Sequence, residues 1–288
     1  RLHLRAGDVR EARAMDEEAL SIREAALGGG HELVAQSLAA LAWDHKDMTD
    51  RSEAKRLFRR ALAVERAAAG PGSSGEWDIL RGLANLYRVE HRPDSALVLF
   101  AQVEAGRRAA REVDDVALGT LLFDIAVTLT PLERWEEARP RLEEAIDLLR
   151  PLGARADLEL ARALGAYGTV LRHLDRAKDA LAPLAESARI FERLRRGAPP
   201  GPRRGGTFSL VSYTLLAAAE LECGDGAAAW RSLERPLARG MVEQMAARGL
   251  VDTTGWCVEP LARVQAAIAP DQAVIGWLAV RPGAAREE

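Results

Sequence analysis

The residues that could carry chemistry in this chain are its two cysteines, Cys223 and Cys257, and a few scattered histidines. Cysteine catalysis requires a thiolate beside a positioned histidine. Neither cysteine stands in a nucleophile motif, and their distance in sequence suggests neither a redox pair nor a zinc site. His3 and His45 have no second metal ligand three or four residues away. We therefore expect no catalytic residue, no metal site and no cofactor within this chain.

Paired carboxylates and glycine-rich segments add no further chemistry. Glu17-Glu18, Glu136-Glu137 and Glu143-Glu144 are neighbours in sequence, but adjacent side chains diverge by about 100 degrees around a helix and do not converge on one substrate. No Gly-x4-Gly-Lys-Ser/Thr segment occurs, and no Gly-x-Gly-x-x-Gly follows a strand. The sequence therefore predicts a chain that is not an enzyme by itself.

Composition narrows the class of partner. A net charge of -3 with 29% charged residues is typical of a soluble protein and lacks the basic excess of a nucleic-acid-binding surface. There is neither an apolar run of about 18 residues nor a signal-peptide pattern. Two cysteines fit a reducing compartment. We expect a cytoplasmic protein that binds neither nucleic acid nor membrane.

The elements that would position functional residues follow a period of 42 residues. Alanine recurs at this step, at Ala12, Ala54, Ala96, Ala138 and Ala180. The same step relates Leu38, Leu80, Leu122 and Leu164, and also Ala42, Ala84, Ala126 and Gly168. Large apolar residues three and four apart share one helical face. A small residue at one fixed point lets two helix backbones approach closely, so each unit is predicted to be two antiparallel helices.

The predicted helices cover most of the chain, at residues 9–26, 33–47, 51–69, 76–90, 93–110, 115–130, 134–150, 157–174, 176–196, 207–223 and 226–248. Residues 1–6 match the end of a helix, so we expect that helix to begin before Arg1. The period breaks once, between Ala180 and Ala228, at a Gly/Pro/Arg-rich loop over 197–206. This basic loop is either a solvated connector or a site for an acidic partner.

Ala54, Phe58 and Ala61 form a small-x3-large pattern with a small residue seven positions on, behind a Leu-x2-Leu-Ala segment at 38–42. This pattern resembles the tetratricopeptide repeat in its longer 42-residue form, found in kinesin light chains. Gly28 to His31 resembles the usual start of such units, and later units depart from it. The resemblance covers residues 1–248 and implies an all-α fold, a right-handed superhelical array of five to six antiparallel helix pairs with a truncated first pair.

In tetratricopeptide arrays the first helix of each pair lines a concave surface, so the resemblance implies a peptide-binding groove. The candidate groove residues are Gln36, Trp43, Lys46, Asp78, Arg81, Asn85, Arg88, Phe123, Asp124, Val127, Arg162, Thr169, Arg172 and His173. Asn85 stands where light-chain repeats often bond the backbone of an extended peptide, and Trp43 offers an apolar anchor. Five basic residues against two acidic ones predict an acidic ligand. The alternative is that these residues form the solvated side of amphipathic helices.

Residues 249–288 depart from the repeat and predict a short helix–strand segment. A helix over 260–269 precedes 272–280, which is apolar on both faces and predicts a buried strand. A buried strand needs a sheet, so we expect another domain beyond Glu288. Glu234-Arg235, Leu261 to Ile268 and Pro270-Asp271 resemble the passage from repeats into a CHAT domain, a caspase-like protease. Its catalytic histidine and cysteine would lie past this strand, so none is assigned here.

Two functions follow from these resemblances. The leading one is a protein- or peptide-binding scaffold that forms the regulatory or substrate-recruiting region of a tetratricopeptide–CHAT cysteine protease. The alternative is a non-enzymatic adaptor or sensor that assembles a signalling complex. A histidine and a cysteine at strand ends beyond residue 288 would favour the first.

Overall fold

The computed structural model describes residues 9–47, 50–110, 114–197 and 211–234, and within these ranges the secondary structure is helical. In chain order the helices are α1 Val9–Leu27, α2 Glu32–Asp47, α3 Arg51–Ala69, α4 Ser74–Val89, α5 Pro93–Ala109, α6 Asp115–Leu129, α7 Trp135–Leu149, α8 Asp157–His173, α9 Ala177–Gly197 and α10 Val211–Glu222. A further helix, α11, covers 226–234. Short 3-10 turns, Thr130–Leu132 and Arg150–Arg155, follow α6 and α7.

These helices confirm the predicted all-α array of antiparallel pairs. The first helices of the pairs are α2, α4, α6, α8 and α10, and the second helices are α1, α3, α5, α7, α9 and α11. From 9–26 to 176–196, each predicted helix matches the structure to within two residues at either end. The predicted helix–strand segment at 249–288 and the basic loop after Gly197 lie outside the described residues.

In the four pairs whose turn is described, the chain reverses through one residue in the left-handed region. His91, Glu133 and Asp175 stand 42 residues apart and have φ of 58°, 57° and 58°, while Gly224 does the same with φ of 84°. The amide of the next residue donates to the carbonyl five residues back, at 2.9 to 3.3 Å. This closure uses helix-end carbonyls that would otherwise lack partners. The turn geometry therefore repeats with the sequence, although three of these residues are not glycine.

The core follows the columns of the 42-residue period. The repeated alanines at 54, 96, 138 and 180 are fully buried, and Phe58 and Phe100 fill the space beside them with no exposed surface. One apolar cluster runs from α4 to α9 and another from α2 to α4, and Leu62 and Leu99 pack against both. The array is therefore held by contacts between neighbouring helices, as expected for a stack of repeats.

Gly168 leaves no room for a larger side chain between α8 and α9. A Cβ atom placed on Gly168 would lie 2.3 Å from Cγ of Leu184, on the second helix of the same pair. Its counterparts Ala42, Ala84 and Ala126 are fully buried. The structure thus agrees with the prediction that this position must stay small.

We expect Gly168→Ala to destabilise the protein by about 1 kcal/mol. Alanine normally gains roughly 1 kcal/mol over glycine inside a helix, but overpacking against Leu184 costs about 1–3 kcal/mol. Gly165→Ala is the matched control, since its Cβ would meet Ser187 Oγ at 3.4 Å, an ordinary contact. Urea unfolding should give G165A a higher free energy of unfolding than wild type, and G168A a lower one. The double variant Gly168→Ala/Leu184→Ala should lose less stability than the sum of the losses in the two single variants, because Leu184→Ala removes the clash. Strictly additive losses would contradict the clash.

A buried carboxylate closes the turn between α3 and α4. The amide of Glu76 donates to Ser73 Oγ at 3.0 Å, and the Glu76 carboxylate accepts from the Gly72 amide at 2.5 Å and from Arg66 Nε at 2.6 Å. This is a variant of the capping box, in which the Glu76 carboxylate accepts from the amide of Gly72, one residue before the Ser73 cap. Burial raises the pKa of Glu76, but the Gly72 amide and Arg66 more than offset it, so the net pKa lies below the ordinary 4.5.

Because folding lowers this pKa, Glu76 stabilises the protein above pH 4.5 and loses that contribution as the pH falls through its folded pKa. We expect the free energy of unfolding of wild type to fall more steeply below pH 4.5 than that of Glu76→Gln. Urea unfolding at a series of pH values measures both slopes. Identical slopes would show that Glu76 does not contribute to acid sensitivity.

Ion pairs link the second helices at a repeated register. Glu24 contacts Arg60 at 2.5 Å, Arg108 contacts Glu144 at 2.7 Å, and Arg150 contacts Glu186 at 2.6 Å. In each pair the partners are 36 residues apart, and equivalent partners differ by multiples of 42. Between α1 and α3 the acidic residue lies on the earlier helix. In the other two interfaces it lies on the later helix. We call this set the ion-pair ladder.

Candidate functional site

The middle of the candidate groove is a polar network between α4 and α6. Asp124 Oδ2 accepts from Arg81 Nη1 at 3.1 Å and from Asn85 Nδ2 at 2.8 Å. Asn85 is only 3% exposed and Asp124 8%. Arg88 donates from Nε and Nη2 to Asn85 Oδ1 at 3.2 and 3.1 Å. Buried polar groups require such partners, and a peptide that bonds to the Asn85 amide would have to displace one of them.

A cation–ring contact links the next two first helices. The Arg162 guanidinium of α8 lies 4.9 Å from the ring centroid of Phe123 on α6. Arg162 is exposed, and such contacts contribute roughly 0.5–1 kcal/mol at exposed sites. Phe123 thus serves as a platform that orients a solvent-facing cation.

A third link joins α8 to α10. Arg172 forms a two-point ion pair with Glu222, with Arg172 Nε 2.9 Å from Glu222 Oε2. Hydrogen bonding to Arg172 lowers the pKa of Glu222, and the same carboxylate raises the pKa of Arg172. Arg172 is therefore already matched by a negative charge from its own chain. Thr169 donates to the carbonyl of Gly165 at 3.0 Å, within its own helix.

The remaining candidates divide between the core, the helix ends and solvent. The Trp43 ring packs edge to face on Phe58, with centroids 5.7 Å apart, and is half-buried. His173 stacks on Trp135, the first residue of α7, at 4.1 Å. Asp78 pairs with the buried Arg107 at 2.6 Å. Gln36 is exposed and Val127 is half-buried, while the side chain of Lys46 lies outside the described set.

Two groove cations keep no carboxylate partner among the described residues. Arg81 and Arg172 pair with Asp124 and Glu222. Arg88 instead contacts an amide oxygen, and Arg162 contacts a ring. Of the four groove arginines in the described ranges, two therefore keep a positive charge that no carboxylate of the described residues contacts.

Sequence reasoning overlooked Glu222 as a member of this surface. Arg172 and Glu222 are 50 residues apart, because the loop after α9 lengthens the last step from 42 to 48 residues. Applying that longer step to the register would have placed Glu222 near the end of α10, the first helix that comes after α8 in the array. The pairing of Arg81 with Asp124 had no such signal, because Asp124 was itself predicted to contact the ligand.

The histidines, cysteines and carboxylates of the described ranges are scattered. No group of three His, Cys, Asp or Glu residues close enough to hold a metal occurs in the described ranges, and Cys223 is a half-buried free thiol there. Asp115–Leu132 has the length and mean hydropathy, 1.5, of a membrane-crossing helix, with half of it buried in the array. A helix in the core of a repeat array has the same composition, so the expected absence of a membrane span stays a prediction.

Solved structures with this fold include light-chain-type repeat proteins. BtubC (BKLC) from P. vanneervenii aligns with a TM-score of 0.63 at 15% identity, covering 88% of this chain and 97% of that one. A putative kinesin light chain with nearly identical TPR-like repeats from Podospora anserina aligns with a TM-score of 0.56 at 16% identity, covering 74% and 96%. At these identities the likeness shows the fold. No curated protein matches the chain.

The sequence profile named Tetratricopeptide repeat matches residues 1–67 and 117–193, which together make up half of the chain. The intervening units share the same columns, turn geometry and packing. The chain belongs to the tetratricopeptide repeat family.

Proposed function

We propose that this tetratricopeptide scaffold binds an extended protein segment with acidic residues along its first helices. The observation that carries the proposal is the pair Arg88 and Arg162, which lack a carboxylate partner among the described residues while neighbouring arginines have one. Each well-placed charge pair with a ligand would add on the order of 1 kcal/mol.

The polar network makes Arg88 a better anchor than a free surface arginine. Asp124 fixes Asn85 by a 2.8 Å hydrogen bond, and the Asn85 oxygen in turn holds Arg88. A side chain held in place loses less conformational entropy on binding. The Phe123 ring does the same for Arg162. These supports favour recognition of carboxylates at defined positions over diffuse attraction.

We expect Arg88→Glu/Arg162→Glu to weaken the binding of acidic peptides by at least about tenfold. The probes are fluorescein-labelled extended peptides made in acidic and basic versions, and fluorescence anisotropy measures their affinity. Lys178→Glu/Arg189→Glu is the matched control, because it makes the same charge change at exposed residues of α9. Arg162→Glu alone tests the groove if the double variant folds poorly. An equal loss in the control, or none in either groove variant, would contradict the proposal.

We further propose that the scaffold controls a CHAT-type cysteine protease encoded beyond Glu288. The support is the resemblance of residues 234–278, and binding would act by masking the protease or by presenting its substrate. The product of the whole gene should be labelled at one cysteine by an electrophilic cysteine-protease probe, to an extent that changes with the acidic peptide. Unlabelled protein that still binds the peptide would instead indicate the non-enzymatic adaptor.

A further inference from the structure

The outward side of α5 is apolar where that of α3 is basic. One step of 42 residues relates Lys55, Arg56 and Arg59 of α3 to Leu97, Val98 and Ala101 of α5. Val98 is 70% exposed, Ala101 is exposed and Leu97 is half-buried. Contiguous apolar surface often marks an interaction site.

This apolar side borders a cleft of about 510 Å³ between α5, α6 and α7. Leu97 and Ala101 line one wall, Pro140 the other, and the buried residues Ile125 and Leu129 reach its floor. One step of 42 residues earlier, Arg59 of α3 stands where Ala101 lines this cleft, and the short Ala101 side chain leaves the space open. Its volume falls within the range of roughly 300–1,000 Å³ found for ligand pockets.

The charges around the cleft are mainly negative. Its lining includes four carboxylates, from Glu104, Glu136, Glu137 and Glu144, against two guanidinium groups, from Arg134 and Arg141. Arg141 is held by Glu104 at 2.5 Å and Arg134 by Glu137 at 2.6 Å. Glu136 is largely exposed and reaches only one arginine, Arg139, at a long 3.4 Å. Arg108 also pairs with Glu144 at 2.7 Å and with Glu104 at 2.9 Å. Glu136 is therefore the lining carboxylate with the weakest pairing, and it can accept a cation from a ligand, in contrast to the groove.

We propose that this cleft docks a basic segment of a partner protein. The segment inserts a large apolar side chain between Ala101 and Pro140 and places lysine or arginine beside Glu136, whose contact with Arg139 is long. Burial of the apolar side chain supplies affinity at about 25 cal/mol per Å², and the carboxylates select the flanking charge. The site is built mainly on second helices, so it stands independently of the acidic ligand proposed for the first helices.

The test selects random peptides displayed on phage against the wild-type protein, with removal of those that also bind Ala101→Arg. We expect the selected sequences to combine a large apolar residue with nearby lysine or arginine. Synthetic fluorescein-labelled versions should bind A101R at least about tenfold more weakly. Glu136→Lys/Glu137→Lys should weaken binding and flatten its salt dependence.

The controls separate this site from misfolding and from the groove. Arg59 occupies the equivalent position of α3, so A101R should keep the circular dichroism spectrum and Tm of wild type. Arg88→Glu/Arg162→Glu should leave the affinity of these basic peptides unchanged. Failure to enrich peptides, enrichment of acidic ones, or equal binding to A101R would overturn the proposal. So would a dimer seen by sedimentation and lost in A101R, which would make a second copy the occupant.

Discussion

Replacing Phe100 with alanine is expected to lower the free energy of unfolding by about 3–5 kcal/mol. Phe100 has no exposed surface and lies in the apolar cluster that runs from α4 to α9, between the fully buried Ala96 and Val103. Whole domains are stable by only about 5–15 kcal/mol, so one substitution removes a large share. Urea unfolding followed by circular dichroism measures the loss.

Because each repeat contacts only its neighbours, the damage from Phe100→Ala should be local at first. Amide hydrogen exchange should accelerate more in α4 and α5 than in α8 and α9. Val98→Ala, two residues away at a largely exposed position, is the matched control and should change stability by less than about 0.5 kcal/mol. Equal losses in F100A and V98A would show that Phe100 does not hold the core.

Asp124→Ala should cost about 3 kcal/mol of stability. The variant leaves the Arg81 charge unpaired and deprives the Asn85 amide of one acceptor, and breaking a buried pair in this way costs roughly 3–5 kcal/mol. We expect the lower end because the Arg81 side chain keeps 23% exposure, which lets water reach the charge. Thermal and urea unfolding both report the change.

Two variants separate charge from hydrogen bonding at this position. Asp124→Asn keeps an oxygen that can accept from Asn85 and removes only the charge, so its loss should be smaller than that of D124A. Asp147→Ala, at an exposed position of α7, should be nearly neutral. If D124A behaved like D147A, the network between α4 and α6 would contribute nothing to stability.

The helices of this array could be predicted because the same apolar columns repeat every 42 residues. The prediction of 51–69 matches α3 at both ends. Boundaries moved where turn chemistry decided them: α4 begins at Ser74 rather than at residue 76, because Ser73 caps it. Likewise α7 begins at Trp135, after Glu133 takes the left-handed conformation.

The candidate groove was harder to predict because polar residues are usually exposed unless they are paired. The register placed Asn85 and Asp124 on neighbouring first helices, but it could not show that each buries the other. Trp43 also sits at its predicted register, yet its ring turns toward Phe58 instead of standing free. Pairings of this kind depend on side-chain rotamers and on the rotation between units, which periodicity does not encode. The groove residues as ligand contacts therefore stay a prediction.

The ion-pair ladder bears on how such an array can change length by recombination. If the α6–α7 unit were duplicated, Arg150 would face Glu144, and the two charges would attract. If the α2–α3 unit were duplicated, Arg66 would face Arg60, and the two charges would repel. If the two units between α1 and α7 were lost, Glu24 would face Glu144, and two negative charges would repel. Exposed pairs are each worth only about 0.2–1 kcal/mol, so this bias is mild. Gain of a unit is thus tolerated better at α6 and α7 than at α2 and α3.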